Sequence, residues 1–299
     1  MPDDGRRLRV RPRRDDADRI SGLPDDLLHT ILLHLRDTAA AARTSVLSRR
    51  WRRVWAHVPG LSFHLDRGGR PRRASTLRGI GAVIAAHDAA PTLDRLAISI
   101  DRPQSSDAAT LLGPWLRSAA PRLAGELCVR AGEPWTEVYL PSEVELPACE
   151  RATAIDLQLC LGLWLRLPAT GTFAALRVLR IQCSFLHDGD IERALSTQCP
   201  RLQELSLSTS EFVPHAVTVR SVSLERLKLS GHVADGKITV DAPRLVRLEM
   251  SRSPPCPWLM MNYGAVHIAA PELGEVIWHN GYSSHGTTIL WRPGAISGG

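Results

Sequence analysis

Pro200-Arg-Leu-Gln-Glu-Leu-Ser-Leu207 is the stretch on which the fold turns, with Leu202, Leu205 and Leu207 as its apolar positions. Side chains alternate along an extended chain, so Leu205 and Leu207 share one face of a short strand while Leu202 lies in the turn leading into it. The same spacing recurs at Leu93/Leu96/Ile98, at Leu123/Leu127/Val129 with one inserted residue, at Ala152/Ile155/Leu157 and at Leu176/Leu179/Ile181. It continues at Leu224/Leu227/Leu229, Leu245/Leu248/Met250 and, more weakly, Leu273/Val276/Trp278. Pro91, Pro121, Pro200, Pro243 and Pro271 each stand two residues before the first apolar position.

Successive units begin 21 to 30 residues apart, in or near the roughly 20–29 residue period of leucine-rich repeats. One such unit cannot cover its own apolar face, and stacking neighbours makes a continuous core. The residues between the inward leucines then form the concave face: Arg180, Ser206, Ser208, Lys228, Ser230, Arg247 and Glu249, with Ser251 and His279 beyond them. Their mixture of charge and hydroxyl groups suits a protein or peptide target. Three residues past the last apolar position stand Asp101, Cys160, Ser184, Ser210, His232 and Ser253, small or polar but not uniform. The intervals between units read as surface loops, so the spacing predicts an irregular horseshoe.

Ahead of the repeats, Asp18 to Phe63 reads as three short helices. Pro24 suits a first helical position, and Asp25 and Asp26 complement the dipole of the turn that follows. Leu27, Leu28, Ile31, Leu32 and Leu35 recur at helical spacing. Thr38 can cap a second helix over Ala39 to Leu47, and Ser48 a third that carries Trp51, Val54 and Trp55. A unit this small exposes more apolar surface than it can bury. The surplus either packs on the following domain or docks on a partner.

Leu-Pro-Asp-Asp-Leu-Leu (Leu23 to Leu28), then Arg-Thr-Ser-Val-Leu-Ser-Arg-Arg-Trp (Arg43 to Trp51) and Val-Trp, resembles the F-box of the large plant family of F-box/leucine-rich-repeat proteins. In that family the F-box docks on a Skp-type adaptor within a Skp–cullin–F-box (SCF) ubiquitin ligase. Carried over residue by residue, the resemblance implies that Leu23, Pro24, Leu27, Leu28, Ile31, Val46, Leu47 and Trp51 face the adaptor. It implies a non-catalytic substrate-recognition subunit that binds an unidentified target protein through its repeats, in the nucleus and/or cytoplasm. The expected fold class is an α+β or α/β repeat, a small three-helix F-box followed by an irregular leucine-rich-repeat solenoid. The expected divisions are a disordered Arg-rich tail at 1–16, the F-box at 17–63, a linker at 64–76 and about eight repeats over 77–299. A short helix is expected over Leu77 to Ala86 in the last of these. Relatives in the family often continue into a further C-terminal domain, and no recognisable version of it is present here.

Composition narrows the remaining classes. No run of 18 apolar residues offers a membrane span, and the Arg-rich start lacks the apolar segment of a secretory signal. The six cysteines are irregularly spaced with no Cys-x-x-Cys pair, which fits buried free thiols better than disulfides or zinc. Residues 43–73 carry nine Arg against one Asp, whereas 74–299 carry twenty basic and twenty-two acidic groups. A near-neutral repeat region weakens a nucleic-acid role, although Arg6 to Arg14 leave open a nuclear-import signal or a weak tether. Phosphate-loop, nucleophile-elbow and His-Glu-x-x-His patterns are absent, and His29 and His34 stand five apart, a poor spacing for two ligands on one helix. No cofactor or metal is expected. The readings left open beside the ligase subunit are a repeat scaffold not engaged in ubiquitylation and a nuclear nucleic-acid-associated protein.

Overall fold

A computed structural model describes residues 22–34, 38, 44, 47–65, 80–85, 87, 92–100, 105–132, 142–159, 163–183, 185–187, 189–209, 216–231, 237–251, 265–279 and 288–292. The Arg-rich tail, most of the helix expected over Ala39 to Leu47, and the turn positions Asp101, Cys160, Ser184, Ser210, His232 and Ser253 lie outside these residues.

Each Leu-x-x-Leu-x-Leu unit forms a strand, and the strands stack in register. They are β2 (Leu93–Ile100), β3 (Leu123–Ala131), β5 (Ala154–Leu159), β7 (Val178–Cys183), β9 (Glu204–Thr209), β11 (Arg226–Gly231), β13 (Arg247–Ser251) and β15 (Glu275–His279). With β1 (Gly60–Leu65) they make a nine-stranded sheet in the order β1-β2-β3-β5-β7-β9-β11-β13-β15, every pair parallel. The second apolar position forms one inward row, Leu96–Leu127–Ile155–Leu179–Leu205–Leu227–Leu248–Val276. The third forms another, Ile98–Val129–Leu157–Ile181–Leu207–Leu229–Met250–Trp278.

The backbone repeats as well. In six units the N–H after the first apolar position donates to its counterpart one unit back: Asp94 to Pro59, Arg177 to Thr153, Gln203 to Arg177, Glu225 to Gln203, Val246 to Glu225 and Gly274 to Val246. The inserted residue of the Leu123 unit appears as a register shift between β2 and β3. Gly125 is required there, because a Cβ would lie 1.9 Å from the Asp94 carbonyl oxygen.

Two features depart from the sequence expectation. First, the intervals are not only loops. They carry a second set of strands in two smaller parallel sheets. One contains β4 (Ser142–Glu145), β6 (Leu163–Arg166) and β8 (Phe185–Leu186). The other contains β10 (Ala216–Arg220), β12 (Lys237–Asp241), β14 (Ala265–Ala269) and β16 (Thr288–Arg292). Their inward residues, among them Val144, Leu165, Val219, Ile238, Val240, Val266 and Ile268, share one core with the long sheet. Second, the long sheet has a ninth unit, Val58/Leu61/Phe63, inside the segment read as F-box. Leu61 and Phe63 pair with Leu96 and Ile98 in the two inward rows.

Helices fill the wider intervals. Residues 80–85 are helical, and Ile80 and Ile84 enter the core beside the helix Ser105–Ala119. The short helix Asp190–Arg193 runs into a π turn over Ala194–Gln198. Asp190 is buried and accepts the Leu167 N–H at 2.9 Å, and Arg193 pairs with its other carboxylate oxygen. Gln198 donates to the Pro168 carbonyl at 2.8 Å, so this segment is stitched to the turn after β6.

At the N-terminal end lie α1 (Asp25–His34) and α2 (Arg49–Ala56). The α2 cap is Ser48, whose Oγ accepts the Trp51 N–H at 3.3 Å. Leu28, Leu32, Trp51, Val54 and Val58 form a separate small core beneath the two helices. Thr38 is buried, and its hydroxyl accepts the Ser62 N–H at 2.6 Å, satisfying a donor on the outer edge of β1.

Candidate functional site

The helical unit is held from inside and bare outside. Arg50 grips Asp25 through Nε at 2.8 Å and through a second nitrogen at 2.6 Å, and it also donates to the Leu23 carbonyl. These bonds fix the start of α1 against the start of α2. His29 Nε2 lies 3.0 Å from the Val54 carbonyl oxygen and His34 Nδ1 2.7 Å from that of Thr30, so both rings are engaged by backbone.

The structure divides the eight residues expected to face an adaptor. Leu27, Ile31 and Leu47 are exposed at 49%, 41% and 66%, although all three are large and apolar. Pro24 is also exposed and Leu23 is half-buried. Leu28 and Trp51 do not reach the surface and instead belong to the small core of the unit. Val46 lies outside the described residues. Neighbouring leucines part in this way because successive residues of a helix point about 100° apart. One edge of a wide apolar stripe faces inward, and the other edge, Leu27 and Ile31, is left in water.

The long sheet offers the second surface. Its outward residues stand in register as rows. Asp156, Arg180, Ser206, Lys228 and Glu249 form one, and Gln158, Gln182, Ser208, Ser230, Ser251 and His279 another. All seven residues expected on the concave face lie on this side. A third row contains Glu204, Arg226, Arg247 and Glu275, of which only Arg247 was anticipated. The missing residues had a signal, since each precedes the second apolar position of its unit.

Glu204 is the hub of this face, accepting from Arg180 at 2.6 Å and pairing with Arg226 at 3.1 Å. Lys228 donates to Glu249 at 2.6 Å, and Arg247 pairs with Glu275 at 3.1 Å. The hydrogen bond from Lys228 holds the Glu249 carboxyl below its ordinary range. Ser230 and Ser251 hydrogen-bond to each other across β11 and β13. A shallow depression of about 430 Å³ lies over Arg180, Ser206, Lys228 and Glu249. The result, among the described residues, is a self-neutralised, hydrogen-bonding surface.

Cys128, Cys149, Cys183 and Cys199 are all buried. Burial pushes Cys149 and Cys199 up to about 12. Among the described residues no three His, Cys, Asp or Glu side chains are grouped to share a metal ion, and no helix is long and apolar enough to cross a membrane.

Comparison with known proteins finds matches to both parts of the chain. A family model described as "F-box domain" matches residues 20–62, and one described as "FBD-associated F-box protein At5g56370, LRR repeats" matches residues 112–282. F-box/LRR-repeat protein 13 of Arabidopsis thaliana is 32% identical over 262 residues, covering 83% of this chain and 55% of that protein. F-box/LRR-repeat protein At3g60040 of the same plant is 28% identical over 280 residues, covering 86% of this chain and 61% of that protein. F-box/LRR-repeat protein 25 of Arabidopsis thaliana is 54% identical over a shorter stretch of 50 residues, 17% of this chain and 19% of that protein. The chain spans little more than half the length of the first two relatives. No solved structure matches. With repeats in register from β1 to β15 and one repeat model spanning more than half of its length, the chain belongs to the plant F-box/LRR-repeat family.

Proposed function

We propose that this protein is a non-catalytic, substrate-recruiting subunit of a Skp–cullin–F-box ubiquitin ligase, working in the nucleus and/or cytoplasm. Leu23, Pro24, Leu27, Ile31 and Leu47 dock on a Skp-type adaptor, while Leu28 and Trp51 set the pose of α1 from within. The outward face of the long sheet holds the target protein. The gain is in effective concentration and orientation, since tethering turns transfer to the target into a near-intramolecular event.

The observation that carries this reading is the exposure of Leu27, Ile31 and Leu47 on a unit that already has its own core. Apolar side chains left out of a finished core, within a stretch matching the F-box model, are what an interface needs at its centre. The charges on the sheet face pair among themselves, so a target of mixed charge and hydrogen-bonding character suits it better than a polyanion. Co-purification of a Skp-type adaptor with wild type and with Leu27→Glu/Ile31→Glu tests the reading. Retention by wild type and loss in the variant, with unchanged circular dichroism, supports it. Failure of the folded wild type to retain any Skp-type adaptor refutes it and leaves a repeat scaffold outside ubiquitylation.

A further inference from the structure

The first three strands of the long sheet differ from the rest in what stands over their outward face. A cavity of about 710 Å³ opens there, walled on one side by Leu32, Trp55 and Val58 of the helical unit. The opposite wall is the sheet itself, where His64, Ser99 and Arg130 line the cavity, while Asp94 and the glutamate-paired Arg95 line it further back along β2. These three residues are not scattered. His64 pairs in register with Ser99, and Ser99 with Arg130, so they form one row across β1, β2 and β3. Ala97 and Cys128 form the adjacent row and give the cavity an apolar floor.

Arg130 is set apart from the other cations of this face. Arg95, Arg180, Arg226, Lys228 and Arg247 each pair with a glutamate. Arg130 has no carboxylate or hydrogen-bond partner among the described residues. A guanidinium with no carboxylate partner among the described residues, beside a hydroxyl and an imidazole in a cavity with an indole wall, suits an acid group attached to an apolar body. The volume falls in the range of about 300–1,000 Å³ typical of small-molecule sites. Further along the sheet the charges pair with one another and the depression is smaller, about 430 Å³.

We propose that the cavity between the helical unit and strands β1–β3 binds a small organic anion, its acid group on Arg130, Ser99 and His64 and its apolar body against Trp55. The site is distinct from the Leu27/Ile31/Leu47 seam and from the face around Glu204, and it does not require the adaptor reading. A ligand seated there touches both the helical unit and the repeats, so its occupancy stabilises their contact.

The test is titration of the full chain alone, without adaptor, with phenyl phosphate, inorganic phosphate and benzyl alcohol. Binding is followed by calorimetry and by tryptophan fluorescence. Phenyl phosphate is expected to bind saturably and more tightly than either half-molecule. Arg130→Gln should weaken it by about tenfold or more, the usual loss for a hydrogen bond to a charged group. Arg166→Gln, an exposed arginine on β6, should leave it unchanged. Ala97→Leu, which fills the floor, should abolish binding with little change in Tm. No saturable binding of phenyl phosphate, equal binding of inorganic phosphate, or full affinity in Arg130→Gln would each overturn the proposal.

Discussion

Asp190 is a buried carboxylate with two partners, since one oxygen holds the Leu167 N–H and the other holds Arg193. Asp190→Ala strands a buried N–H and a guanidinium together, at an expected cost of about 2–4 kcal/mol in urea unfolding. Asp190→Asn keeps a carbonyl for Leu167 and should cost clearly less. The buried thiols give a pH signature of opposite kind from that of carboxylates. Cys149 and Cys199 ionise near 9.0 when the chain is unfolded and at about 12 when it is folded. The unfolded chain therefore loses these protons first, and stability that is complete below pH 9.0 falls as the pH rises towards 12. Urea midpoints measured from neutral to strongly alkaline pH should decline over that window, and less steeply in Cys149→Ala/Cys199→Ala. A flat midpoint across the window contradicts the burial of these thiols.

Among the elements, the two inward rows of the long sheet are not equally protected. Leu248 on β13 is fully buried, whereas its register partner Val276 on β15 is 49% exposed. Stacking explains the difference, because among the described residues β13 is covered by a strand on both sides and β15 on one. Leu248→Ala should therefore cost about 3 kcal/mol and Val276→Ala less than about 1 kcal/mol, checked by chemical denaturation. Equal losses would contradict the difference in cover between the two residues. These rows were legible in the sequence because Leu205 and Leu207 repeat their spacing along the chain. The second-layer strands were not. Lys237–Asp241 and Ala216–Arg220 are five-residue runs, too short for alternation to stand out from loop sequence. The Val58/Leu61/Phe63 unit was hidden for another reason, since it directly follows a helix whose apolar residues claim Val58 for their own core. At the candidate site, periodicity marked the apolar stripe of α1 but could not show which of its edges the chain covers. That is decided by where α2 crosses, a property fixed by Arg50 and its bonds to Asp25 and Leu23.

Taken whole, the described residues form two cores, a small one under α1 and α2 and a long one shared by three sheets, and the proposed function assigns a separate task to each. The ion pairs of the sheet face are exposed, so each contributes little stability, of order 0–1 kcal/mol, and salt should weaken target capture more than folding. If the proposed function holds, raising ionic strength leaves Tm nearly unchanged, lowers the affinity of the sheet face for its proposed protein target, and leaves the proposed adaptor docking through Leu27 and Ile31 nearly intact. The measurement that bears most directly on this division is calorimetric titration of a Skp-type adaptor into the full chain and into Leu27→Glu/Ile31→Glu and Lys228→Ala/Glu249→Ala variants. Stoichiometric binding by wild type and by the sheet-face variant, with at least about a hundredfold loss in the α1 variant, is the result expected when two apolar anchors are replaced by charges. Undiminished binding by the α1 variant, or no binding by the folded wild type, would contradict it.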